Sequence, residues 1–292
     1  MLRDDFKIIV QAAWDATRAD AMIALHARRS AASIAAFRAA DAGRIAVVLT
    51  GTDLYRDLPE SAEAARSLDT ADRIVVLQED APRLLERRWR DKAEVIFQSA
   101  RLLAAARKDR AALHCVVVGH LREEKDPRTV FAAMRELSPG LAITVRHIGD
   151  ALDPVLGREA NALARRDARY RYSGALPHGL ARAAIKAAHV LVHPSIAEGG
   201  ANVIVEAITA GTPVIASRIS GNVGMLGGGY PGYFEPGDAS GLAGRLVQAL
   251  EDPGFLRRLR AACAERKARF TPAQEARAIR RLAASLTGRS GR

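Results

Sequence analysis

Two acidic side chains, Glu198 and Glu206, are separated by seven residues, and a glycine pair, Gly199 and Gly200, follows the first at once. They sit in a run, 193–217, that opens after an apolar stretch at 190–192, turns through Pro194 and enters a helix near Asn202. Gly211 ends that helix, Pro213 forbids its continuation, and 214–216 reads as the next strand. The first amides of such a helix lack partners and lie at the positive end of its dipole, so a phosphate fits there. The glycines, with Ala201 and Asn202 behind them, let the phosphate approach the main chain. A carboxylate beside a phosphate repels it unless donors stand between them, and sugar hydroxyls are such donors. A nucleotide sugar has a hydroxylated ring on each side of its diphosphate. One acid per ring, with the diphosphate on the helix start, fits the spacing. Taken singly, each glutamate also reads as a solvated surface acid; the whole run points to a nucleotide-sugar donor.

The rest of the chain must build the sheet that carries this turn. Its 292 residues suffice for two domains. Hydrophobic content of 49% and charged content of 26% fit a globular class. No apolar run reaches about 18 residues, so no membrane span or stable insertion is expected. The first residues do not form a signal peptide. Two cysteines, Cys115 and Cys263, fit a reduced, cytoplasmic setting without a disulfide scaffold. The net charge is +11, and residues 251–292 hold eleven Lys and Arg against four Asp and Glu. Without aromatic interleaving or a nucleic-acid motif, this excess reads as solvated surface, and no nucleic-acid partner is expected.

Strands are expected at 6–10, 21–25, 45–49, 73–77 and 93–97, with helices at 30–40, 61–70 and 80–89 between them. A linker is expected at 106–110. A second set follows, with strands at 114–118, 142–148 and 170–172, helices at 128–137 and 154–164, and then the run described above. This βα alternation predicts parallel sheets. The glycine-rich stretch 220–238 reads as a close-approach or mobile loop, and helices are expected at 240–251, 253–269 and 272–286. His26, Arg28, Arg29 and Ser30 cluster between a strand end and a helix start, which suits a small oxyanion or, equally, a helix cap with two solvated arginines. Thr50, Gly51, Thr52 and Asp53 follow another strand end. They suit a ligand loop or an ordinary turn.

The run with Glu198 and Glu206 resembles the donor site of family 4 glycosyltransferases of the GT-B fold. The resemblance implies that Glu198 meets the transferred sugar and Glu206 the ribose hydroxyls. The family's Gly-Arg, with Lys five residues past that Arg, reads here as Gly119-His120, with Lys125 at the lysine position. Lys125 would hold the diphosphate. His120 replaces the usual arginine, and Arg122 is the candidate to supply its charge. Gly174 and Ala175 fall where the family meets the base with backbone groups. His178 and Arg182 follow, and each reads as a surface residue at least as readily as a ligand.

Longer runs carry a closer resemblance: Ala-Leu-His-Ala-Arg-Arg-Ser at 24–30, Leu-Thr-Gly-Thr-Asp-Leu-Tyr-Arg-Asp-Leu at 49–58, Val-Gly-His-Leu-Arg-Glu-Glu-Lys-Asp-Pro at 118–127, His-Pro-Ser to Gly-Gly-Ala-Asn-Val at 193–203 and Ser-Arg-Ile-Ser-Gly-Asn-Val-Gly-Met-Leu-Gly at 217–227. The chain looks like the selenosugar synthases of selenoneine biosynthesis, which join a UDP-sugar, typically UDP-N-acetylglucosamine, to selenophosphate. This implies an α/β fold of two Rossmann-like domains with parallel sheets facing across a cleft. The expected boundaries are an acceptor domain at 1–108, a donor domain at 109–270 and a helix at 271–292 crossing back to the first. It also implies Glu198, Lys125 and Arg122 in catalysis and His26, Arg28, Arg29, Ser30, Thr50, Gly51, Thr52 and Asp53 around the acceptor. Asp53 is expected to orient an arginine. No metal or other cofactor is expected. Thr50 stands where the wider superfamily has a histidine, so no base is assigned; a selenium anion needs little help from one. The usual first strand, glycine-rich loop and helix do not precede residue 6, from which weakened turnover is expected. Two other readings stay open: transfer to a lipid or polyol, and nucleotide-sugar binding without catalysis.

Overall fold

The computed structural model describes residues 2, 3, 5–104, 106, 108 and 111–288. The chain divides into two compact units, 1–99 with 272–292, and 100–271.

In the first unit, β1 (Ala21–Leu25), β2 (Arg44–Val48), β3 (Arg73–Val76) and β4 (Ala93–Val95) form a parallel sheet in sequential order. Alternation along β2 assigns its two faces. Ile45 and Val47 join Ile34 and Phe37 of α1 (Ala31–Ala39) in one core. Ala46 turns the other way, onto Leu282 and Leu286 of the closing helix Pro272–Thr287. Three short helices complete the connections: α2 (Leu58–Glu60), α3 (Ala62–Thr70) and α4 (Arg87–Arg90). Residues 6–10 form no strand. Ile8, Ile9 and Val10 are exposed, and β1 is the edge of the sheet. Residues 8–10 pair with no strand among the described residues, and strand composition alone does not hold a segment in a sheet. The helix expected at 80–89 breaks into a 3₁₀ turn, Ala81–Leu84, and α4, because Leu85 is extended between them.

The second unit holds a six-stranded parallel sheet in the order β10-β9-β8-β5-β6-β7. Its elements are β5 (Leu113–Val118), α5 (Pro127–Glu136), β6 (Ile143–Ile148), α6 (Pro154–Arg166), β7 (Tyr170–Tyr172), α7 (His178–Ala187), β8 (Val190–His193), α8 (Asn202–Ala210), β9 (Val214–Ser217), α9 (Ser220–Leu226), β10 (Tyr233–Phe234), α10 (Ala239–Glu251) and α11 (Pro253–Arg266). Local chemistry sets most boundaries. Asp126, Asp153, Asp238 and Asp252 cap the helices that follow them, and each accepts a first-turn amide. Gly211 ends α8 at φ +75°, a left-handed cap that glycine adopts without strain. The stretch 220–238 is not all loop. Its first residues form α9, with Gly221, Asn222, Gly224, Met225 and Leu226 buried. The linker expected at 106–110 lies in part outside the described residues. The break between units falls earlier, after Ser99. Residues past it are already bonded within the second unit: Ala100 N donates to Phe270 O at 3.2 Å and Leu103 N to Thr209 O at 3.1 Å.

Both cysteines are buried, and burial pushes the Cys115 thiol up to about 12 and the Cys263 thiol to about 11, so neither is a nucleophile. Among the described residues no helix is long and apolar enough to cross a membrane.

Candidate functional site

The strand order of the second unit decides where its loops meet. The chain runs outward from β5 through β6 to β7, then crosses to β8 on the other side of β5. The C-terminal ends of β5 and β8 therefore flank a topological switch point, where open α/β sheets leave a ligand crevice. The loop after β5 carries Lys125, and the loop after β8 carries Glu198. They are distant in sequence, yet Lys125 Nζ donates directly to Glu198 Oε1. A main-chain bond, Ile196 N to Glu124 O at 3.0 Å, ties the same two loops.

His193, the last residue of β8, adds a third group. Its Nε2 lies 3.2 Å from Glu198 Oε1, and its side chain is buried. Burial alone would push the Glu198 carboxyl up. The hydrogen bond and charge of His193, joined by the charge and hydrogen bond of Lys125, outweigh it and hold the group far below the usual carboxylate range. The ionised form of Glu198 is thereby favoured, which suits it to accept hydrogen bonds. The role of His193 is absent from the sequence reading. Its signal was present: a histidine at the strand end, five residues before the glutamate.

Two glycines press main chain against this centre. A Cβ on Gly221 would lie 2.0 Å from Glu198 O, and a Cβ on Gly149, at φ +155°, 2.0 Å from Gly119 O. Behind the β5 loop, His147 Nε2 approaches Gly119 O at 3.3 Å and its Nδ1 meets Tyr170 OH at 3.0 Å. Burial drives His147 from its ordinary 6.5 down to about 4, against the opposing bond to Gly119. A histidine with a depressed folded value stays neutral while the unfolded chain protonates. Its contribution is intact above about 6.5 and declines as pH falls toward 4. The urea midpoint should fall over that window, and His147→Gln should flatten the dependence.

At the start of α8, Ala201 provides no side-chain cap, so the first amides keep their positive end free of a side-chain acceptor. Gly199 and Ala201 are buried, and Asn202 is exposed. One turn on, Glu206 is buried, with His178 Nε2 at 2.6 Å and Asn202 Nδ2 at 3.3 Å from its Oε1. Gly174, at φ +64°, spends its carbonyl on Gly149 N at 2.9 Å, while Ala175 is exposed. His120 is exposed, and its Nδ1 accepts from Asp150 N at 3.0 Å. Arg122 is also exposed and stands 3.9 Å from Glu124, apart from the Lys125–Glu198 pair.

In the first unit, residues 50–57 do not form a simple turn. Asp53–Asp57 is a π-helical turn that aims two aspartates at the loop after β1. His26, strained at φ +77°, lies between them, with Nδ1 2.6 Å from Asp53 Oδ1 and Nε2 3.4 Å from Asp57 Oδ2. Asp53 also accepts from Ala27 N at 2.8 Å, Thr50 N at 2.8 Å and Thr50 Oγ1 at 3.1 Å. It thus orients a histidine and two backbone amides, where an arginine was expected. Asp57, which the sequence reading left without a role, takes Arg28 Nε at 3.3 Å from its Oδ1. His26, Asp53 and Asp57 are all buried, and their ligand atoms lie within 4.8 Å of one another, a grouping that could hold a metal ion. Asp53 is already committed to internal donors, and Arg28 supplies a competing positive charge. Ser30 does not cap α1; its Oγ donates to Leu25 O at 2.8 Å. Arg28, Arg29 and Thr52 remain exposed, and Gly51 is half-buried.

Residues 100–269 match the family described as glycosyl transferases group 1. The chain belongs to this family. Its fold is GT-B, with two parallel α/β sheets, as in HepE of Anabaena solved with UDP and glucose. That structure superposes with a TM-score of 0.72 at 17% identity, covering 91% of this chain and 78% of that one. The sucrose-phosphate synthase of Thermosynechococcus elongatus superposes with a TM-score of 0.75 at 22% identity, covering 92% and 74%. In sequence, the group 1 chain is 33% identical over 138 residues to the 2-deoxystreptamine glucosyltransferase of Streptomyces kanamyceticus, covering 47% of this chain and 36% of that protein. It is 32% identical over 172 residues to the glycogen synthase of Mycobacterium tuberculosis, covering 57% and 41%. The match thus spans less than half the length of these curated relatives.

Proposed function

We propose that the chain is a selenosugar synthase that transfers a sugar from a UDP-sugar, with UDP-N-acetylglucosamine as the expected donor, to selenophosphate. The observation that carries the donor half is the Lys125–Glu198 pair at the switch point beside the uncapped start of α8. The diphosphate rests on the amides of 199–202 and is neutralised by Lys125; Arg122, on the same loop, reaches it only by turning away from Glu124. Glu198 accepts from hydroxyls of the transferred sugar, and Glu206 from those of the ribose. Gly174 and Ala175 face the base. HepE, solved with UDP and glucose, supports this reading by its likeness of fold.

The acceptor half rests on the runs at 24–30 and 49–58 and on the exposed Arg28, Arg29 and Thr52. Arginine reads oxyanions by paired hydrogen bonds. His26, Asp53 and Thr50 support these residues from below without touching the anion. The selenium anion attacks the anomeric carbon; its bond to that carbon forms as the bond to the diphosphate oxygen breaks, and UDP leaves with the electron pair. Thr50 offers no base, and none is needed for a nucleophile that is already anionic.

The test is an anaerobic reaction of the chain with UDP-N-acetylglucosamine and selenophosphate, read by mass spectrometry, with and without EDTA. The expected result is UDP in equal amount to the sugar 1-selenophosphate, or to the seleno-sugar and inorganic phosphate that water yields by splitting its Se–P bond, unchanged by the chelator. UDP binding without product under these conditions would favour a binding protein, and loss of product on chelation would return the His26–Asp53–Asp57 group to consideration as a metal centre.

A further inference from the structure

His178 enters no part of the donor reading, yet it makes a short contact to a proposed donor ligand. It is the first residue of α7, directed there by Pro177, which is extended at φ −51° and ψ 141°. Its Nε2 meets Glu206 Oε1 at 2.6 Å, and Asn202 Nδ2 reaches the same oxygen at 3.3 Å. Among the described residues both contacts fall on one carboxylate oxygen, and Oε2 takes neither. The Glu206 side chain is 7% exposed, whereas that of His178 is 72% exposed. A nearly buried carboxylate is thus held by one oxygen from a residue at the solvent edge. A glutamate has three rotatable bonds, and fixing one oxygen fixes where the other points.

We propose that His178 is a positioning residue for nucleoside recognition: it clamps Oε1 of Glu206 so that Oε2 is free to accept from the ribose hydroxyls of a nucleoside diphosphate. The inference rests on the donor reading above. It assigns ribose selectivity to a contact between the β7–α7 corner and α8, elements joined by no motif in the sequence. Without the clamp, Glu206 Oε1 retains, among the described residues, the longer bond from Asn202 and loses its fixed direction. The base and the diphosphate are bound by other groups, so the loss falls on the ribose.

The test compares calorimetric binding of UDP and 2′,3′-dideoxy-UDP to the full chain. Wild type should prefer UDP, by about tenfold or more, since a hydrogen bond to a charged acceptor is worth about that factor. In His178→Ala, UDP should weaken about five- to tenfold while the dideoxy compound binds as before, so that the preference collapses. His178→Gln, which returns an N–H donor, should restore most of it. A purely structural role would weaken both ligands alike and leave their ratio unchanged, and that result would overturn the proposal. A wild-type chain that binds the dideoxy compound as well as UDP would also overturn it while leaving the diphosphate site intact. A wild-type chain that binds neither would remove the donor reading itself.

Discussion

Glu198→Ala is expected to lower kcat by about two to three orders of magnitude, and Glu206→Ala to raise the donor KM about tenfold with a smaller loss in kcat. The difference follows from the surroundings of each acid. Glu198 is held ionised by His193 and Lys125 in a side-chain environment only 11% exposed. Its removal releases Lys125 from the contact that fixes its position. In the proposed role it also removes the acceptor for the sugar hydroxyls, and misplaced reactants lose rate steeply. Glu206 lies a turn into α8; in the proposed role it meets the ribose, where lost contacts weaken ground state and transition state together. Glu198→Gln, which keeps the volume and drops the charge, should be nearly as damaging as Glu198→Ala. Steady-state kinetics in the selenophosphate assay read all three, and unchanged constants in both alanine variants would remove the donor-site assignment.

Gly221→Ala should destabilise the second unit and impair donor binding, although residue 221 contacts no proposed ligand. The added Cβ would lie 2.0 Å from Glu198 O, 2.8 Å from Glu198 C and 2.8 Å from Glu198 Cβ. Two of these atoms are main chain, so no rotamer change relieves the contact. Either α9 backs away or the Glu198 turn moves. The expected cost is about 1–3 kcal/mol in urea unfolding, the usual range for overpacking, together with a large rise in the UDP dissociation constant. Gly244→Ala is the control. It sits exposed within α10 with nothing within 4 Å of the built Cβ. It should stabilise by about 0.5–1 kcal/mol, as alanine does in a helix interior. A Gly221→Ala chain of wild-type stability and donor affinity would show that α9 does not set the position of Glu198.

Much of the second unit was open to reading along the chain. The stops and starts there are chemical and local: Pro194 in the turn, Gly211 at a left-handed cap, Pro213 beyond it, and aspartates ahead of Pro127, Pro154 and Pro253. Each acts over a few residues, so its meaning does not depend on what packs nearby. The glycine pair and the two glutamates belong to the same short run. The same logic misled where a local signal lacked its partner or its packing. Residues 6–10 have strand composition and no adjacent strand; 220–226 has loop composition and a buried face.

The first unit was less legible. His26, Asp53 and Thr50 were named as a cluster, but their types do not say which of them face solvent. Burial turned His26 and Asp53 into support and brought in Asp57, through a π turn that spacing does not announce. In the second unit the same holds for His193 and His178. What the sequence by itself determined was the parallel α/β class, the strand–turn–helix–strand that presents Glu198 and Glu206, and most element boundaries around it, because these follow from backbone preferences of adjacent residues. What only the tertiary structure decided was which distant loops meet. Lys125 finds Glu198 because the chain crosses β5 between β7 and β8, and His178 finds Glu206 because α7 packs beside α8. Strand order is chosen by burial of whole faces over the entire unit, a sum that no short window of residues contains.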